Sequence, residues 1–259
     1  MSYAIQWVRS LIFTAQAYLA MAVFGIAYLP WAIVSADGAA RACKDYTRWV
    51  RWTAGWMVGL HTEIRGKVPT GQVMIAAKHQ SFLDVMMIYG ALPRAKFIMK
   101  KLLMYAPILG WFAWRLGCVF VDRGKRGQAI KKMVADVSAG KSKPGQLVIY
   151  PQGTRIGPND VAPYKVGTAA LYRELDQPCV PVAGNVGVFW PKRGIYRKPG
   201  VAVVEFLPPI PPGMNSRAFM AELERVIEER SDALAREAGV TITRAGAAAL
   251  PPDEPGPPV

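Results

Sequence analysis

Two side chains at a fixed spacing, His79 and Asp84, offer the first chemistry in this chain. An apolar run, Val73 to Ala77, stops at Lys78 and His79, and a second apolar stretch runs from Phe82 to Leu92. A short uncharged run closed by polar residues reads as a buried parallel strand. Ser81 followed three residues later by Asp84 is a capping-box pattern, so a helix is expected to open there. His79 would then leave the end of a strand while Asp84 sits in the first turn of the next helix, folded back toward the imidazole. A His oriented by an Asp at the carboxyl end of a strand is suited to be a general base. The same spacing also arises from a plain helix cap beside a loop histidine. Only two histidines occur in the chain, and open α/β sheets hold their ligands where His79 falls.

Three further stretches run from an apolar strand into an abrupt polar turn. Gly117 to Arg123, GCVFVDR, delivers Asp122 and Arg123. In Tyr150 to Arg155, YPQGTR, Pro151 halts the strand, and Gln152, Gly153, Thr154 and Arg155 follow. Close backbone approach at Gly, a hydroxyl and a planar fork of donors suit a phosphate monoester. Val180 to Asn185, VPVAGN, places Pro181 in the last of them, and Lys100 after Lys96–Met99 is a fifth polar exit. Taken singly, each is also an ordinary surface turn.

The elements that must position these residues are strands at Thr62–Arg65, Val73–Ala77, Lys96–Met99, Cys118–Val121, Leu147–Tyr150, Val180–Ala183 and Val201–Phe206. Helical spacing separates several of them: Ile130, Met133, Val134 and Val137 form one stripe, and Ala169 to Leu175 suggests a shorter helix. A final helix, capped by Asn215 or Ser216 and ended by Gly239, turns Phe219, Leu223, Val226, Ile227 and Leu234 to the core. Such alternation predicts an α/β domain over residues 61–240, a mostly parallel sheet flanked by helices. Leu102 to Leu116 is apolar and aromatic with a single charge, Arg115; it suits an acyl-chain groove, a membrane contact or plain core. Residues 241–259 are rich in Ala and Pro, the composition of a disordered tail.

Residues 1–60 have a different character. Ser10 to Ala36 contains no charge and is long enough to cross a bilayer as a helix. Val34-Ser35-Ala36 resembles a signal-peptidase site, but the apolar run exceeds a usual signal core, so an anchor is expected. Pro30 and Gly38 could instead let the chain turn back as a two-helix motif. Arg41 to Leu60 puts Arg41, Lys44, Asp45, Arg48 and Arg51 on one helical arc, with Trp49, Trp52 and Trp56 at its border. Tyr46, Val50, Met57 and Leu60 form an apolar back, the layout of a helix in the headgroup layer or of one packed on its own domain. Lys and Arg follow the apolar run, against Arg9 alone before it, which puts the body of the protein in the cytoplasm.

A net charge of +14 calls for an anionic partner. With 52% hydrophobic residues and eight Trp, that partner is expected to be membrane lipid, and no nucleic-acid-binding motif is present. Cys43, Cys118 and Cys179 are odd in number and show neither disulfide nor metal-ligand spacing, so a reducing compartment is expected.

The order and spacing of the polar turns is more specific than any one of them. His-x4-Asp, G-x-x-F-x-D-R, P-x-G-T-R and V-P-V, between about His61 and Phe206, resemble the four motifs of the glycerolipid acyltransferase family, most closely its lysophosphatidic acid acyltransferases. The resemblance implies transfer of an acyl group from acyl-CoA or acyl carrier protein to the sn-2 hydroxyl of lysophosphatidic acid, giving phosphatidic acid. It places the reaction at the cytoplasmic face of a bacterial inner membrane, with no cofactor and no metal. By the same resemblance His79 is the base and Asp84 holds it. Arg123, Gly153, Thr154 and Arg155 bind phosphate, helped by Lys100; Pro181 shapes the site, and Ser81 and Gln152 support the motifs. The chain departs from the family in Gln152 for the usual Glu, Lys78 for the commoner Asn and Leu102 for Glu. Lys78, a cation beside the base, is expected to lower the imidazole pKa or attract an anion. The alternatives are another lysolipid acceptor such as a lyso-ornithine lipid, a basic membrane-binding module without catalysis, and a hydrolase with Ser81 as nucleophile.

Overall fold

Every one of the seven expected strands forms, and all join a single sheet. They are β1 Leu60–Gly66, β2 Met74–Ala77, β3 Ala95–Lys100, β4 Val119–Val121, β5 Gln146–Ile149, β6 Cys179–Gly184 and β7 Gly200–Phe206. The computed structural model describes residues 2–121, 128, 131 and 144–243. Asp122, Arg123, the Ile130–Val137 stripe and residues 244–259 lie outside the described residues.

The strand order is β1-β7-β6-β2-β5-β3-β4. Neighbours are parallel except β6 and β7, so β7 and β1 run against the other five. The expected mostly parallel sheet is therefore a mixed one. The residues between Gly184 and Gly200 carry no crossover helix long enough to return the chain for a parallel pairing, and β7 comes back antiparallel beside β6.

In the central strands β2, β5 and β6 every residue is buried, as expected where both faces are covered. Side chains alternate between two cores. Ile75, Ala77, Val148, Val180 and Val182 pack under α4 (Phe82–Ala91) and the N-terminal helices. Met74, Ala76, Leu147 and Ile149 pack with α6 (Gly167–Leu175) and α8 (Ser216–Glu237) on the other face. Asn215 caps α8 by accepting from the Ala218 N–H, and Phe219, Leu223, Ile227 and Leu234 are fully buried along it.

The N-terminal segment turns back on itself. Helix α1 (Tyr3–Ala27) is followed by a short α2 (Leu29–Val34) and by α3 (Ala36–Val58). The side chain of Gln6 donates to the Val58 carbonyl and that of Gln16 to Thr53, so α1 and α3 are antiparallel. Gly38 permits the bend: a Cβ there would meet the Trp31 backbone at 2.7 Å. The apolar side of α3 does not face lipid as one reading of its sequence expected. Val50, Ala54 and Val58 enter the same core as the sheet, together with Phe13 of α1. The cause is local: α3 ends at Gly59 in the left-handed conformation, and β1 begins at the next residue, which ties the helix to the sheet edge. Trp49, Trp52 and Trp56 remain exposed on the outer side.

After β3 comes one 3-10 turn, Lys101–Tyr105, and then α5 (Leu109–Arg115). Phe112 packs on Ala32, Ala39 and Ala42, while Leu102, Tyr105 and Trp114 are exposed. The first three residues of the expected tail, 241–243, are held against the domain. Asn159 binds the Thr241 carbonyl and the Thr243 N–H, and Ile242 packs on the core, so these residues belong to the domain.

Candidate active site

At the carboxyl end of β2 the Lys78 N–H still donates to the Val182 carbonyl of β6, and the chain then leaves the sheet. The N–H groups of Gln80 and Ser81 both donate to Oδ2 of Asp84 at 2.7 Å. Oγ of Ser81 accepts from the Leu83 N–H, completing the capping box. The other carboxylate oxygen, Oδ1, lies 2.9 Å from Nδ1 of His79. Both readings of the His-x4-Asp spacing therefore hold, because Asp84 caps α4 with one oxygen and orients the imidazole with the other. A carboxylate at Nδ1 fixes the proton there and leaves the lone pair on Nε2. Asp84 is 2% exposed, whereas the His79 side chain keeps 18% of its surface open. The imidazole is anchored on one side and reachable on the other.

Tyr150, which the sequence reading did not single out, lies against the imidazole with ring centroids 4.0 Å apart and planes 23° from parallel. Phe97 extends the stack on the far side at 6.1 Å. The Tyr150 hydroxyl is buried beside the Asp84 carboxylate. Burial, reinforced by the nearby Asp84 carboxylate, raises its pKa well above the ordinary phenol value, so it stays neutral. The available signal was an aromatic residue at the strand exit directly before Pro151.

The turn after β5 reaches the same place. Gly153 adopts φ 69°, which favours Gly, and its N–H donates to the Tyr150 carbonyl. Two residues beyond Thr154, the Ile156 N–H donates to the His79 carbonyl at 2.8 Å, which seats the turn against the histidine. Gly153 and Thr154 are exposed there. Arg155 is half-buried, and its Nη1 donates to the Lys192 carbonyl at 3.2 Å. Gln152 points inward and donates to the Ala162 carbonyl at 3.3 Å. A carboxylate could not make that bond, which is one physical reason for an amide at this position.

Pro181 sits in the middle of a central strand, where proline is unusual. Its carbonyl accepts from Leu207 on the β7 side, so its missing N–H falls on that side too and leaves the β2 ladder whole. Lys100 is exposed at the end of β3, separated from β2 by β5 in the sheet order. Arg123 lies outside the described residues. Lys78 does not act as expected. Its Nζ sits 2.6 and 2.7 Å from the two carboxylate oxygens of Glu228, which also accepts from Tyr164. Strand alternation sends Lys78 to the α8 face, and its charge is matched there rather than presented to the imidazole or to an incoming anion. Ser81 is buried and committed to the cap, which argues against a nucleophile. Among the described residues no group of three or more His, Cys, Asp or Glu is placed to hold a metal ion.

Residues 60–184, the span that carries these turns, match the family model described as Acyltransferase. A 1-acyl-sn-glycerol-3-phosphate acyltransferase of Pseudomonas aeruginosa is 27% identical over 187 residues, 71% of this chain and 73% of that protein. One of the same name from Saccharomyces cerevisiae is 30% identical over 186 residues, 69% of this chain and 61% of that protein. Among solved structures, a 1-acyl-sn-glycerophosphate (LPA) acyltransferase from Thermotoga maritima shares the fold, with a TM-score of 0.75 over 90% of this chain and 99% of that one at 16% identity. Beside an oriented histidine at the sheet edge, these likenesses make the chain similar to acyltransferases, with 1-acyl-sn-glycerol-3-phosphate acyltransferases among its relatives.

Proposed function

We propose that the protein acylates the free sn-2 hydroxyl of lysophosphatidic acid, with acyl-CoA or acyl carrier protein as donor, to give phosphatidic acid. The observation that carries this reading is the 2.9 Å contact between His79 Nδ1 and Asp84 Oδ1, beside a turn that exposes Gly153 and Thr154. Nε2 of His79 takes the proton of the acceptor hydroxyl as its oxygen attacks the thioester carbonyl. The tetrahedral intermediate then collapses, the C–S bond breaks, and the thiolate leaves with the proton from the imidazolium. Asp84 stabilises that imidazolium and does not itself take the proton. No acyl-enzyme is formed. The Gly153–Arg155 turn, with Arg123 and Lys100 as helpers, is the proposed cradle for the acceptor phosphate.

The membrane supplies the acceptor lipid and receives the product. Among the described residues one helix, α1, is long and apolar enough to cross a bilayer. Its inner side is instead bound to the body of the protein, with Phe13 in the core and Arg9 donating to the carbonyls of Met57 and Trp56. Ile5, Val8, Ile12 and Leu19 of α1, Trp31 and Val34 of α2, Trp52 and Trp56 of α3, and Leu102 and Trp114 are exposed. We infer that this face rests in one leaflet, on the cytoplasmic side of a bacterial inner membrane, and brings His79 to the level of the lipid headgroups.

The test is to supply purified protein with lysophosphatidic acid and each donor in turn and to identify the product by mass. Phosphatidic acid from at least one donor is expected, falling by at least about 10³-fold in His79→Ala. A His79→Ala protein that keeps full activity would remove the reading.

A further inference from the structure

Residues 191–198, Pro-Lys-Arg-Gly-Ile-Tyr-Arg-Lys, carry four cations and no acid. They connect α7 (Val186–Phe189) and Trp190 to β7. Lys192, Arg193 and Lys198 are exposed, but Arg197 is only 5% exposed. Its guanidinium lies over the Trp190 ring, 4.3 Å from the centroid. Nη1 donates to the carbonyls of Gly194 and Tyr196. These bonds use one of three nitrogens. Nε is buried with no partner, and among the described residues no carboxylate pairs with this group. Burial without a counter-charge brings its pKa down to about 10. A loop staple would need only the Nη1 bonds. The unused edge, Nε with Nη2, is the side of a guanidinium that matches two oxygens of a phosphate.

The surroundings indicate which phosphate. The Arg197 N–H donates to Oγ of Ser10, its carbonyl accepts from Nε2 of Gln6, and Tyr196 stacks on Tyr3, so the loop is clamped to α1. Ile5, Val8 and Ile12 on the outer side of that helix are exposed and apolar. In the other direction the loop meets the active site, since the Lys192 carbonyl receives Arg155 and the Gly187 N–H donates to Gln80 beside His79. The loop thus bridges a lipid-facing helix and the catalytic turn. We propose that the unmatched edge of Arg197, floored by Trp190 and flanked by Lys192 and Arg193, receives the phosphate of a glycerolipid beside α1. This rests on the reading of the chain as acting on lipid phosphates. It adds a second phosphate-holding position, distinct from the Gly153–Arg155 turn, through which a lipid passes between bilayer and base.

The test separates binding from catalysis. Full-length His79→Ala protein in neutral detergent is titrated with lysophosphatidic acid and with uncharged monoacylglycerol, and hydrogen exchange is followed in peptides covering residues 186–199. Protection by lysophosphatidic acid alone is expected. Equal protection by both lipids, or by neither, overturns the proposal. Vesicles of phosphatidylcholine with and without phosphatidylglycerol identify the source. Protection by lysophosphatidic acid only assigns the site to the acceptor, and protection by phosphatidylglycerol as well assigns it to lipid phosphate in general; either result supports the site. Arg197→Lys keeps the charge but loses the fork, and is expected to fold with a modestly lower melting temperature and to bind lysophosphatidic acid about 10-fold more weakly. Wild-type affinity in a folded Arg197→Lys protein counts against the proposal. Because the His79→Ala protein carries the binding measurements, failure of acyl transfer in the wild type would remove the proposed reaction without deciding this site.

Discussion

Asp84 divides its two oxygens between two tasks, and substitutions there should disturb both. Asp84→Asn keeps the shape but sets an amide against either the two N–H donors of the cap or Nδ1 of His79. If the amide turns its oxygen to the cap, its NH₂ faces Nδ1 and favours the tautomer with the proton on Nε2. The expected result is a fall in kcat of roughly 10²–10⁴-fold with a loss of about 1 kcal/mol in stability, read from steady-state kinetics and thermal melting. A loss of stability alone would make Asp84 a cap and nothing more. Tyr150 invites a paired comparison. Tyr150→Phe keeps the stacked ring and deletes a buried hydroxyl beside Asp84. It should change the stability of the fold by no more than about 1 kcal/mol and leave kcat within a few-fold. Tyr150→Leu removes the flat surface against the imidazole and should lower kcat by about 10-fold or more at unchanged acceptor KM. Equal kcat in the two variants would deny the ring any positioning role.

At the scale of elements, the fold-back of the first three helices depends on one close approach. Gly38→Ala pushes a methyl group into the Trp31 backbone and should cost about 1–3 kcal/mol, seen as a lower melting temperature. An unchanged melt would mean that α2 is free to shift. The outer side of α3 can be tested without touching the core. Trp52 and Trp56 are each 59% exposed, so replacing both with Ala should leave the melt in place. Binding to anionic vesicles in a sedimentation assay should fall by about 10-fold, as expected for aromatic rings seated among headgroups. Undiminished sedimentation would move the membrane face elsewhere on the molecule.

Across the whole molecule, the exit of β2 is braced from a helix 150 residues away. Lys78 and Glu228 form a nearly closed pair, 1% and 17% exposed, at the residue before His79. Removing one charge of a buried pair is far more damaging than replacing both. Lys78→Met should destabilise by about 3–5 kcal/mol in urea unfolding, and Lys78→Met with Glu228→Leu should recover most of that loss. A double variant as unstable as the single one would show that the pair contributes through other contacts of Lys78.

The seven strands and α4 with its cap were legible because each depends on neighbours within a few residues: an apolar run closed by polar ones, or Ser81 three positions before Asp84. The His79–Asp84 contact was legible for the same reason, since five residues of chain and one helical turn suffice to close it. Other features depend on which segments meet, and no local pattern encodes that. Whether β7 would run against β6, whether the apolar side of α3 would meet lipid or the sheet, and where the charge of Lys78 would go are decided by partners distant along the chain. Tyr150 and Arg197 belong to that second class. A tyrosine before a proline and an arginine in a basic loop are ordinary in sequence, and they gain meaning only when folding stacks one on the imidazole and buries the other with an edge unmatched. The chain by itself determined the chemistry at the end of β2, because that chemistry is built from contacts a few residues apart. Packing decided what surrounds it, because a buried charge or hydroxyl takes its energy from whatever the rest of the fold places beside it.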